Sequence, residues 1–272
     1  MCNGSIMDKL ISFSLPLMVS GILQLAFNAV DIIVVGRFSG SQALAAVGST
    51  TALINVFTNL FIGISLGANV LAARFYAAGK DREMSETVHT SITLALISGI
   101  MMAVIGVLLA KWALEIMGTP DDVIGQSALY MRIYFMGMPF FMLYNYGAAI
   151  LRAIGDTKRP LIFLIISGIA NAALNMILVI LFHMGVAGVA IGTIISQLIS
   201  CVLVLTCLYR SEGSYQLRFS KLKINGAYME QIFQVGVPAG IQSTVINLSN
   251  ALLQSSVNSF GSIAMAGYTA AN

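Results

Sequence analysis

The sequence predicts an all-α polytopic membrane protein, in which a six-helix transmembrane lobe is followed by the first helix of a second, parallel-repeat lobe. Two observations carry this prediction. Hydrophobic residues make up 58% of the 272 residues and charged residues only 9%, with a mean hydropathy of +0.89, whereas soluble domains carry roughly 25% charged residues. The chain also repeats its own opening stretch after 222 residues.

The apolar stretches are long enough to cross a bilayer, which takes about 20 residues. The first covers residues 10–37, and the uncharged run that follows, residues 38–73, is longer than one crossing requires. Pro139 is expected to bend the fourth span, and the long polar segment after the sixth is expected to hold a short amphipathic interfacial helix. A seventh span begins at Gln231. The third to sixth spans are predicted at residues 87–110, 123–151, 160–182 and 186–209.

The internal repeat aligns Pro16 with Pro238 and, after a gap of one residue, Gly40 with Gly261. Six spans lie between the two copies, so both copies cross the membrane in the same direction, as in a parallel repeat. We therefore expect the complete protein to have two lobes and roughly twelve spans. The predicted divisions are an N-terminal lobe at 1–209, a cytoplasmic inter-lobe linker at 210–230, and the truncated start of the C-terminal lobe at 231–272, comprising the seventh span and the beginning of the eighth.

Basic residues are unevenly distributed between the two sides of the predicted spans. With a cytoplasmic N-terminus, three of them (Arg37, Lys111 and Arg132) lie outside and eleven lie inside. Cytoplasmic loops carry the excess of Lys and Arg, so we expect a multi-pass protein of the cell membrane, plasma or inner, with its N-terminus in the cytoplasm. The eleven inside residues are Lys9, Arg74, Lys80, Arg82, Arg152, Lys158, Arg159, Arg210, Arg218, Lys221 and Lys223.

Asp31 is the one acidic residue within a predicted span. A carboxylate near the centre of a transmembrane helix costs about 2.5 to 3.5 kcal/mol on insertion scales, so it must face protein or water. It shares a helical stripe with Gly21, Gln24 and Asn28, because these residues are three or four positions apart. Pro16 in the same span favours a bend, since it cannot donate a helical hydrogen bond.

Three polar residues of other spans are expected at the depth of Asp31. Asn171 and Asn175 share a face of the fifth span, and Thr193 lies about two turns into the sixth. Together these oxygen-bearing side chains could bind Na⁺, or they could link the protonation of the carboxyl group to its neighbours. The alternatives are hydrogen bonding between helices for the two Asn residues, and a bond to its own backbone for Thr193.

A substrate cavity is the expected role of two further groups of side chains. Gln24 and Asn28 lie on the polar stripe of the first span, and Met142, Tyr144 and Asn145 lie in an aromatic and Met-rich run of the fourth. Such a run could line a cavity for flat apolar compounds, or it could belong to the core or face lipid. The sequence contains no recognised catalytic motif, so we expect no enzyme activity. The formal charge of +3 is too small and dispersed to indicate nucleic-acid binding.

Four segments resemble the multidrug and toxic compound extrusion (MATE) family of transporters, and the resemblance covers essentially the whole chain. They are the first span with Pro16, Gln24 and Asp31, the turn LRAIGDTKRP at residues 151–160, the NAALN of the fifth span, and the GVAGVAIGTIISQ that opens the sixth. The resemblance implies a twelve-helix protein of two six-helix lobes. Such a protein exports amphipathic, often cationic compounds in exchange for H⁺ or Na⁺.

The resemblance also implies roles for particular residues. The cation-coupling site of the family's N-terminal lobe falls on Asp31, Asn171, Asn175 and Thr193, which would bind H⁺ or Na⁺, and the helix bend falls on Pro16. The chain departs from the family at one position, because many members carry a second acid where this chain has Asn175. Losing that negative charge weakens the case for Na⁺ at this site and favours H⁺ coupling through Asp31.

Three hypotheses about function result. The first is secondary active efflux of amphipathic or cationic small molecules by antiport against H⁺ or Na⁺, with no other cofactor, by a monomer acting with its own C-terminal lobe. The alternative is a flippase or exporter for a lipid-linked saccharide, which would line its cavity with several Arg or Lys residues. Arg132 is the one basic residue within a span. A non-transporting membrane scaffold is the third, and it would not need a buried acid.

Overall fold

A computed structural model describes residues 6–271 of the protein, apart from the side chains of residues 6 and 9. Residues 1–5 of the predicted N-terminal lobe and residue 272 of the predicted C-terminal lobe lie outside the described residues. The side chain of Lys9, one of the basic residues predicted to lie on the cytoplasmic side, is not described either. Within the described chain there are helices and connections but no strands, which confirms the predicted all-α class. Its α-helices are α1 (Ile6–Phe38), α2 (Ser41–Ala77), α3 (Asp81–Ile116), α4 (Asp121–Met136), α5 (Met138–Ala153), α6 (Lys158–Met176), α7 (Gly185–Arg210), α8 (Gly226–Asn258) and α9 (Ser262–Ala271).

Five helices of the described chain are long and apolar enough to cross a membrane, namely α1, α2, α3, α6 with the turn that follows it, and α7. They correspond to the predicted first, second, third, fifth and sixth spans. The predicted fourth span forms α4 and α5, of 16 residues each. Sixteen residues of helix measure about 24 Å, so only the two helices together are long enough to cross the hydrocarbon core.

The fourth span is broken between α4 and α5 at Gly137, which adjoins both helices. Pro139 lies in the first turn of α5, where its missing N–H costs no helical hydrogen bond. Helix α3 approaches this break closely, because a Cβ on Gly99 would lie only 2.6 Å from the Cα of Pro139. Where the sequence predicts a bend at Pro139, the structure interrupts the helix at Gly137, two residues earlier.

The core lies where α2, α3, α4, α5 and α7 pack together. Phe135 on α4 is fully buried there, and its ring packs edge-on against Phe57 of α2 with the centroids 6.1 Å apart. Gly106 on α3 makes room for the same ring, since a Cβ at that position would overlap it. Helix α1 joins this core near its C-terminal end, through Val34 and Val35, and packs mainly against α6, so its polar groups must find most of their partners on α6.

Helix α6 ends in a turn of π-helix, Ile177–Leu181, that begins two residues after Asn175. A π-turn widens the helix and rotates the residues beyond it relative to those before it, and such turns are common at functional sites. His183 then adopts a left-handed backbone conformation with φ 53°. This reversal leads directly into α7, so that α6 and α7 lie side by side.

The polar segment at residues 211–225 contains only a three-residue 3₁₀ turn, Phe219–Lys221. The interfacial helix predicted in this segment is therefore wrong. Contacts with α3 replace the helical hydrogen bonds: the Nε2 atom of His89 accepts from the backbone N–H of Arg218 at 3.1 Å, and the Thr90 hydroxyl accepts from the N–H of Asn225 at 3.2 Å. Because these bonds satisfy the backbone, the segment does not need to be helical.

Helix α8 packs along α2 with the two backbones almost in contact. A Cβ on Gly240 would lie 2.5 Å from the carbonyl oxygen of Leu60, and a Cβ on Gly236 would lie 2.5 Å from the Cα of Ile64. Gly63 on α2 faces Gly240 in the same way. Small residues allow helices in membranes to approach this closely, so the glycines determine the distance between α2 and α8.

The two copies of the internal repeat share local structure. Gly40 precedes α2 and the aligned Gly261 precedes α9, and their φ values are 88° and 90°, a conformation that favours glycine. Helices α1 and α8 are each 33 residues long and contain the aligned prolines, Pro16 and Pro238. The similarity found in the sequence therefore extends to the backbone.

Candidate functional site

Asp31 lies where α1 contacts α6, and it is half-buried. One turn earlier, the ring of Phe27 packs against Gly168 on α6, where a Cβ would overlap the ring. This close approach of the two helices brings Asp31 to Asn175, whose side-chain N–H donates a hydrogen bond to the carboxylate. Burying an ionised carboxylate is costly unless it is paired or hydrogen-bonded, so Asn175 stabilises the charged form of Asp31.

A chain of polar side chains continues from Asp31 across α6 to α7. The Nδ2 atom of Asn175 also donates to Oδ1 of Asn171 at 3.3 Å, and Nδ2 of Asn171 donates to the Thr193 hydroxyl at 3.5 Å. Thr193 in turn donates to the backbone carbonyl of Val189 at 2.9 Å. The structure thus brings the four predicted residues together. The alternative roles considered for them, bonds between helices and a bond to the backbone, are both present in the same chain.

Asn175 contains a buried oxygen, Oδ1, that has no hydrogen-bond partner within the described structure. This oxygen lies against Gly192 of α7, where a Cβ would overlap it. An unpaired buried acceptor costs free energy. If the amide turned over, Oδ1 would face Asp31, and that orientation suits a protonated Asp31, whose O–H can donate to it. The orientation observed therefore suits an ionised Asp31.

The polar chain borders a cavity of about 510 Å³ whose wall includes residues of α1, α2, α4, α5, α6 and α7. Small-molecule sites occupy about 300 to 1,000 Å³. Among the residues described in its wall, Asp31 is the one that carries a charge. Aromatic faces and a carboxylate both attract cations, so the cavity suits an amphipathic cation. Its aromatic residues are Phe27, Tyr130, Tyr134, Phe141 and Tyr144.

Four of the five residues predicted to line a cavity do so, and the fifth does not. Met142 is completely buried and lies outside the cavity wall, so its assignment must be corrected. Successive residues of a helix are rotated by about 100°, and this rotation turns Met142 away from its neighbour Phe141 and into the core. The four residues that line the cavity are Gln24, Asn28, Tyr144 and Asn145.

Helix α1 continues through Pro16 without interruption. The hydroxyl of Ser20 donates to the Pro16 carbonyl at 2.8 Å, in the turn after the one in which proline removes a donor from the helix. The bend expected at Pro16 stays a prediction.

Helices α2 and α4 also contribute to the cavity, which was not predicted from the sequence. Each supplies a pair of polar residues four positions apart, which places both members of the pair on one face of the helix. Amides at this spacing within an uncharged span are a signal that could have identified the α2 pair. The residues concerned are Asn55 and Asn59 on α2, Tyr130 and Tyr134 on α4, and Gln197 on α7, one turn beyond Thr193.

The described residues contain no group of three or more His, Cys, Asp or Glu side chains that could bind a metal ion. Oxygens for Na⁺ could come from Asp31, Asn171 and Thr193. Asn175 directs its nitrogen, not its oxygen, towards Asp31, and hard cations bind oxygen. In the orientation observed, Asn175 therefore offers no oxygen to a cation bound at Asp31.

A family model described as MatE matches residues 16–177. The chain belongs to the MatE family. The matched region runs from Pro16 within α1 to the end of α6. It includes Asp31, Asn171, Asn175 and parts of five of the six helices that border the cavity. The resemblance noted in the sequence is thereby confirmed, and so is the predicted class of multi-pass membrane protein.

Two relatives illustrate the extent of the similarity. The chain is 34% identical over 269 residues to the probable multidrug resistance protein YoeA of Bacillus subtilis (strain 168), which covers 96% of this chain and 58% of that protein. It is 26% identical over 270 residues to the multidrug export protein MepA of Staphylococcus haemolyticus (strain JCSC1435), with 98% of this chain and 59% of that protein covered. This MatE chain thus spans less than two thirds of the length of these relatives. Their names are not those of enzymes, which agrees with the predicted absence of enzyme activity.

Solved structures share the MatE fold. An inward-facing multidrug resistance MATE family transporter of the MOP superfamily matches with a TM-score of 0.85 at 21% identity, over 97% of this chain and 60% of that chain. The MATE multidrug transporter DinF-BH matches with a TM-score of 0.89 at 23% identity, over 98% of this chain and 59% of that chain. At this level of identity the similarity establishes the fold and nothing about substrates.

Proposed function

We propose that the whole protein is a secondary active multidrug efflux transporter that exports amphipathic, cationic compounds in exchange for H⁺. One observation supports the proposal most directly. Among the residues described in the wall of the aromatic-lined cavity, Asp31 is the one that carries a charge, and a side-chain amide of another helix donates a hydrogen bond to it. The names of the relatives, a multidrug resistance protein and a multidrug export protein, support the same class of transport.

Competition for the charge of Asp31 couples the two fluxes in this proposal. The ionised carboxylate attracts a cationic substrate, and the aromatic rings bind its apolar part. A proton on Asp31 removes the negative charge, and the cation then loses most of its attraction to the cavity. Exchange requires that the inward-facing and outward-facing forms differ in their relative affinities for proton and substrate.

We propose that Asn175 is the residue whose side chain responds when Asp31 becomes protonated. Its N–H groups donate to the ionised carboxylate and to Asn171. A protonated Asp31 becomes a donor itself, and Asn175 can accept only by turning its Oδ1 towards α1. That rotation would break the bond to Asn171. Protonation would therefore change how α1 is attached to α6, which is a route from the proton to helix movement.

The proposal can be tested by transport of a fluorescent cation, ethidium, into proteoliposomes that contain the full-length protein and carry an imposed pH gradient. We expect Asp31→Asn to abolish transport driven by the pH gradient, because the amide carries no charge and cannot exchange a proton. Asp8→Asn is a matched control, since Asp8 is an exposed acid on the same helix. It should transport like the wild type.

Two results would contradict the proposal. Transport by Asp31→Asn with its pH dependence intact would exclude the assigned role of Asp31. Wild-type transport that ignores the pH gradient and follows an imposed Na⁺ gradient would exclude H⁺ as the coupling ion.

The residues that line the cavity do not support the alternative function, a flippase for a lipid-linked saccharide. The described wall of the cavity contains no Arg or Lys residue to bind a pyrophosphate, and Arg132 is exposed on α4, outside the cavity. A non-transporting scaffold would require neither the cavity nor the hydrogen-bonded acid within it.

We also propose that the transporter lies in the cell membrane with its N-terminus in the cytoplasm and acts as a monomer with its own C-terminal lobe. The excess of basic residues at the α2–α3 and α5–α6 connections supports this orientation. An impermeant maleimide applied to intact cells should label Asp122→Cys, at the start of α4, and should not label Lys80→Cys, before α3. The reverse pattern would contradict it.

A further inference from the structure

The connection between α7 and α8 contains a continuous exposed stretch, residues 218–223, with the sequence RFSKLK. Three of its residues are basic, and Phe219 and Leu222 are apolar. Phe219 remains 54% exposed even though its ring stacks on Tyr209, with the centroids 5.9 Å apart. Exposure of a large apolar side chain beside basic ones is typical of segments that lie at a membrane surface.

The protein holds this stretch in place at both ends. On one side Leu217 is fully buried, and its N–H donates to the carbonyl of Leu208 at 3.0 Å. On the other side the N–H of Asn225 donates to Thr90, and the amide of Asn225 donates to Glu86 at 2.8 Å. The exposed residues between these attachments are thus presented by a fixed part of the structure, so their exposure does not result from a loose chain.

The point at which the stretch is attached to α3 indicates how deep the stretch lies in the membrane. Trp112, which is exposed near the end of α3, is expected at one membrane interface. Thr90, which binds the connection, precedes it by 22 residues, or about 33 Å of helix. The hydrocarbon core is about 30 Å thick. Residues 218–223 therefore lie at the opposite interface, where lipid headgroups are found.

Positive charge predominates around the stretch. Arg218, Lys221 and Lys223 belong to it and Arg210 ends the neighbouring α7, and none of the four forms an ion pair within the described chain. The acids nearby are Glu212, which is exposed on the same connection, and Glu86, which is bonded to Arg82 at 3.1 Å and to Asn225. The net charge of this surface is complementary to an anionic partner.

A shallow groove of about 370 Å³ lies beside Phe219 on the exposed side of α7. Its wall is mostly apolar, and Arg210 lies at one end. Such a groove could accept the upper part of an acyl chain while Arg210 contacts the phosphate. Its lining residues are Val202, Leu205, Thr206, Tyr209, Arg210 and Phe219.

We propose that residues 218–223, together with Arg210, bind anionic phospholipids at this membrane interface. Phe219 and Leu222 enter the boundary of the hydrocarbon, and the basic side chains contact lipid phosphates. Because the stretch is attached to α3 and leads into α8, the contact anchors the connection between the lobes to the bilayer. The proposal does not depend on Asp31 or on the coupling ion, and only the choice of leaflet depends on the proposed orientation.

The test uses the full-length protein in nanodiscs, with its native cysteines, including Cys2, Cys201 and Cys207, replaced by Ser and a polarity-sensitive fluorophore attached through Ser220→Cys. We expect the emission to shift to the blue, and quenching by a water-soluble quencher to fall, when phosphatidylglycerol is added to phosphatidylcholine. A fluorophore at Glu212→Cys, elsewhere on the connection, should change much less.

One combined variant and one control test the contribution of the basic side chains. Combining Arg218→Gln, Lys221→Gln and Lys223→Gln should remove the response to phosphatidylglycerol. Lys111→Gln, which removes a basic residue near the other end of α3, should leave it unchanged.

Three results would overturn the proposal. They are equal burial of the fluorophore in both lipids, exposure of the fluorophore in both lipids, and a response to inorganic phosphate in phosphatidylcholine discs equal to the response to phosphatidylglycerol. The last result would mean that the surface binds soluble anions.

Discussion

The side-chain amide of Asn175 on α6 donates a hydrogen bond to the carboxylate of Asp31 on α1. Within the described residues this is the one side-chain hydrogen bond that joins α1 to another helix. Helix α1 reaches the core at Val34 and Val35 and contacts its neighbours chiefly along α6. We therefore expect the ionisation of this one carboxyl group to affect how α1 is attached to α6.

Replacing Asn175 by Leu removes the donor to Asp31 and keeps the side chain similar in size. We expect Asn175→Leu to destabilise the protein by about 1.5 to 3 kcal/mol when Asp31 is ionised, the usual contribution of a hydrogen bond to a charged group. The loss should be smaller in acid, where Asp31 is protonated and needs no donor. Thermal unfolding of the full-length protein at acidic and alkaline pH measures both values.

Asn171→Leu serves as the control for this prediction. It removes a neutral amide from the same face of α6 and leaves the bond to Asp31 in place, so its cost should be about 0.5 to 1.5 kcal/mol at either pH. If Asn175→Leu showed no dependence on pH, Asn175 would not be coupled to the charge of Asp31.

A second acid in the site should change the ion that it prefers. Asn175→Asp provides carboxylate oxygens beside Asp31, Asn171 and Thr193, and two carboxylates with neutral oxygens suit Na⁺ better than one. We expect NaCl to raise the unfolding temperature of Asn175→Asp above that in choline chloride. The wild type should unfold at the same temperature in both salts. A Na⁺ effect of equal size in both proteins would contradict our assignment of H⁺ to the natural site.

The order of the transmembrane helices could be predicted from the sequence, because the length and hydropathy of each apolar stretch indicate by themselves that it crosses the membrane. The two departures depend on contacts with α3 that link distant parts of the chain. Gly99 allows the interrupted fourth span to pack closely against α3 at Pro139, and His89 and Thr90 form hydrogen bonds with the connection before α8. Hydropathy is a property of one segment at a time, so it gives no information about contacts between segments that are distant in the sequence.

The site was only partly predictable for a similar reason. Counting residues from the ends of the spans placed Asp31 and Asn175 at one depth, and the structure joins them. Which side chains face the cavity depends on the rotation of each helix about its axis, which packing determines. Met142 therefore turned out to be in the core, and the tyrosines of α4 were not anticipated.

The close contact of α8 with α2 leads to a prediction about stability. Gly240→Ala would place a Cβ 2.5 Å from the carbonyl oxygen of Leu60, and a helix backbone cannot move aside as a flexible side chain can. Overpacking of this kind costs about 1 to 3 kcal/mol. Gly226→Ala, at the start of the same helix, has open space at the Cβ position and should leave stability unchanged. Equal unfolding temperatures for the two variants would show that α8 does not pack on α2 in this way.

The far end of α8 is attached by hydrogen bonds to a single carbonyl group of the core. The carbonyl oxygen of Met117, at the end of α3, accepts from the amide of Asn258 and from the hydroxyl of Ser255, each at 3.2 Å. Asn258 is buried and also accepts from Gln254 at 2.9 Å. Asn258 and Ser255 therefore both hold this end of α8 to the turn after α3, and the bond from Gln254 orients the Asn258 side chain.

Asn258→Leu should therefore loosen this end of α8 and leave the rest of the helix packed on α2. Leaving buried partners unsatisfied costs about 1 to 3 kcal/mol, which corresponds to roughly ten-fold faster local opening for each 1.4 kcal/mol. Hydrogen exchange should accelerate at residues 113–119 and at the last turn of α8, while residues 60–67 of α2 keep their protection. Ser256→Ala, an exposed neighbour bonded only within its own helix, should change neither region. Faster exchange along the whole of α8 would instead mean that Asn258 stabilises the entire contact between α2 and α8.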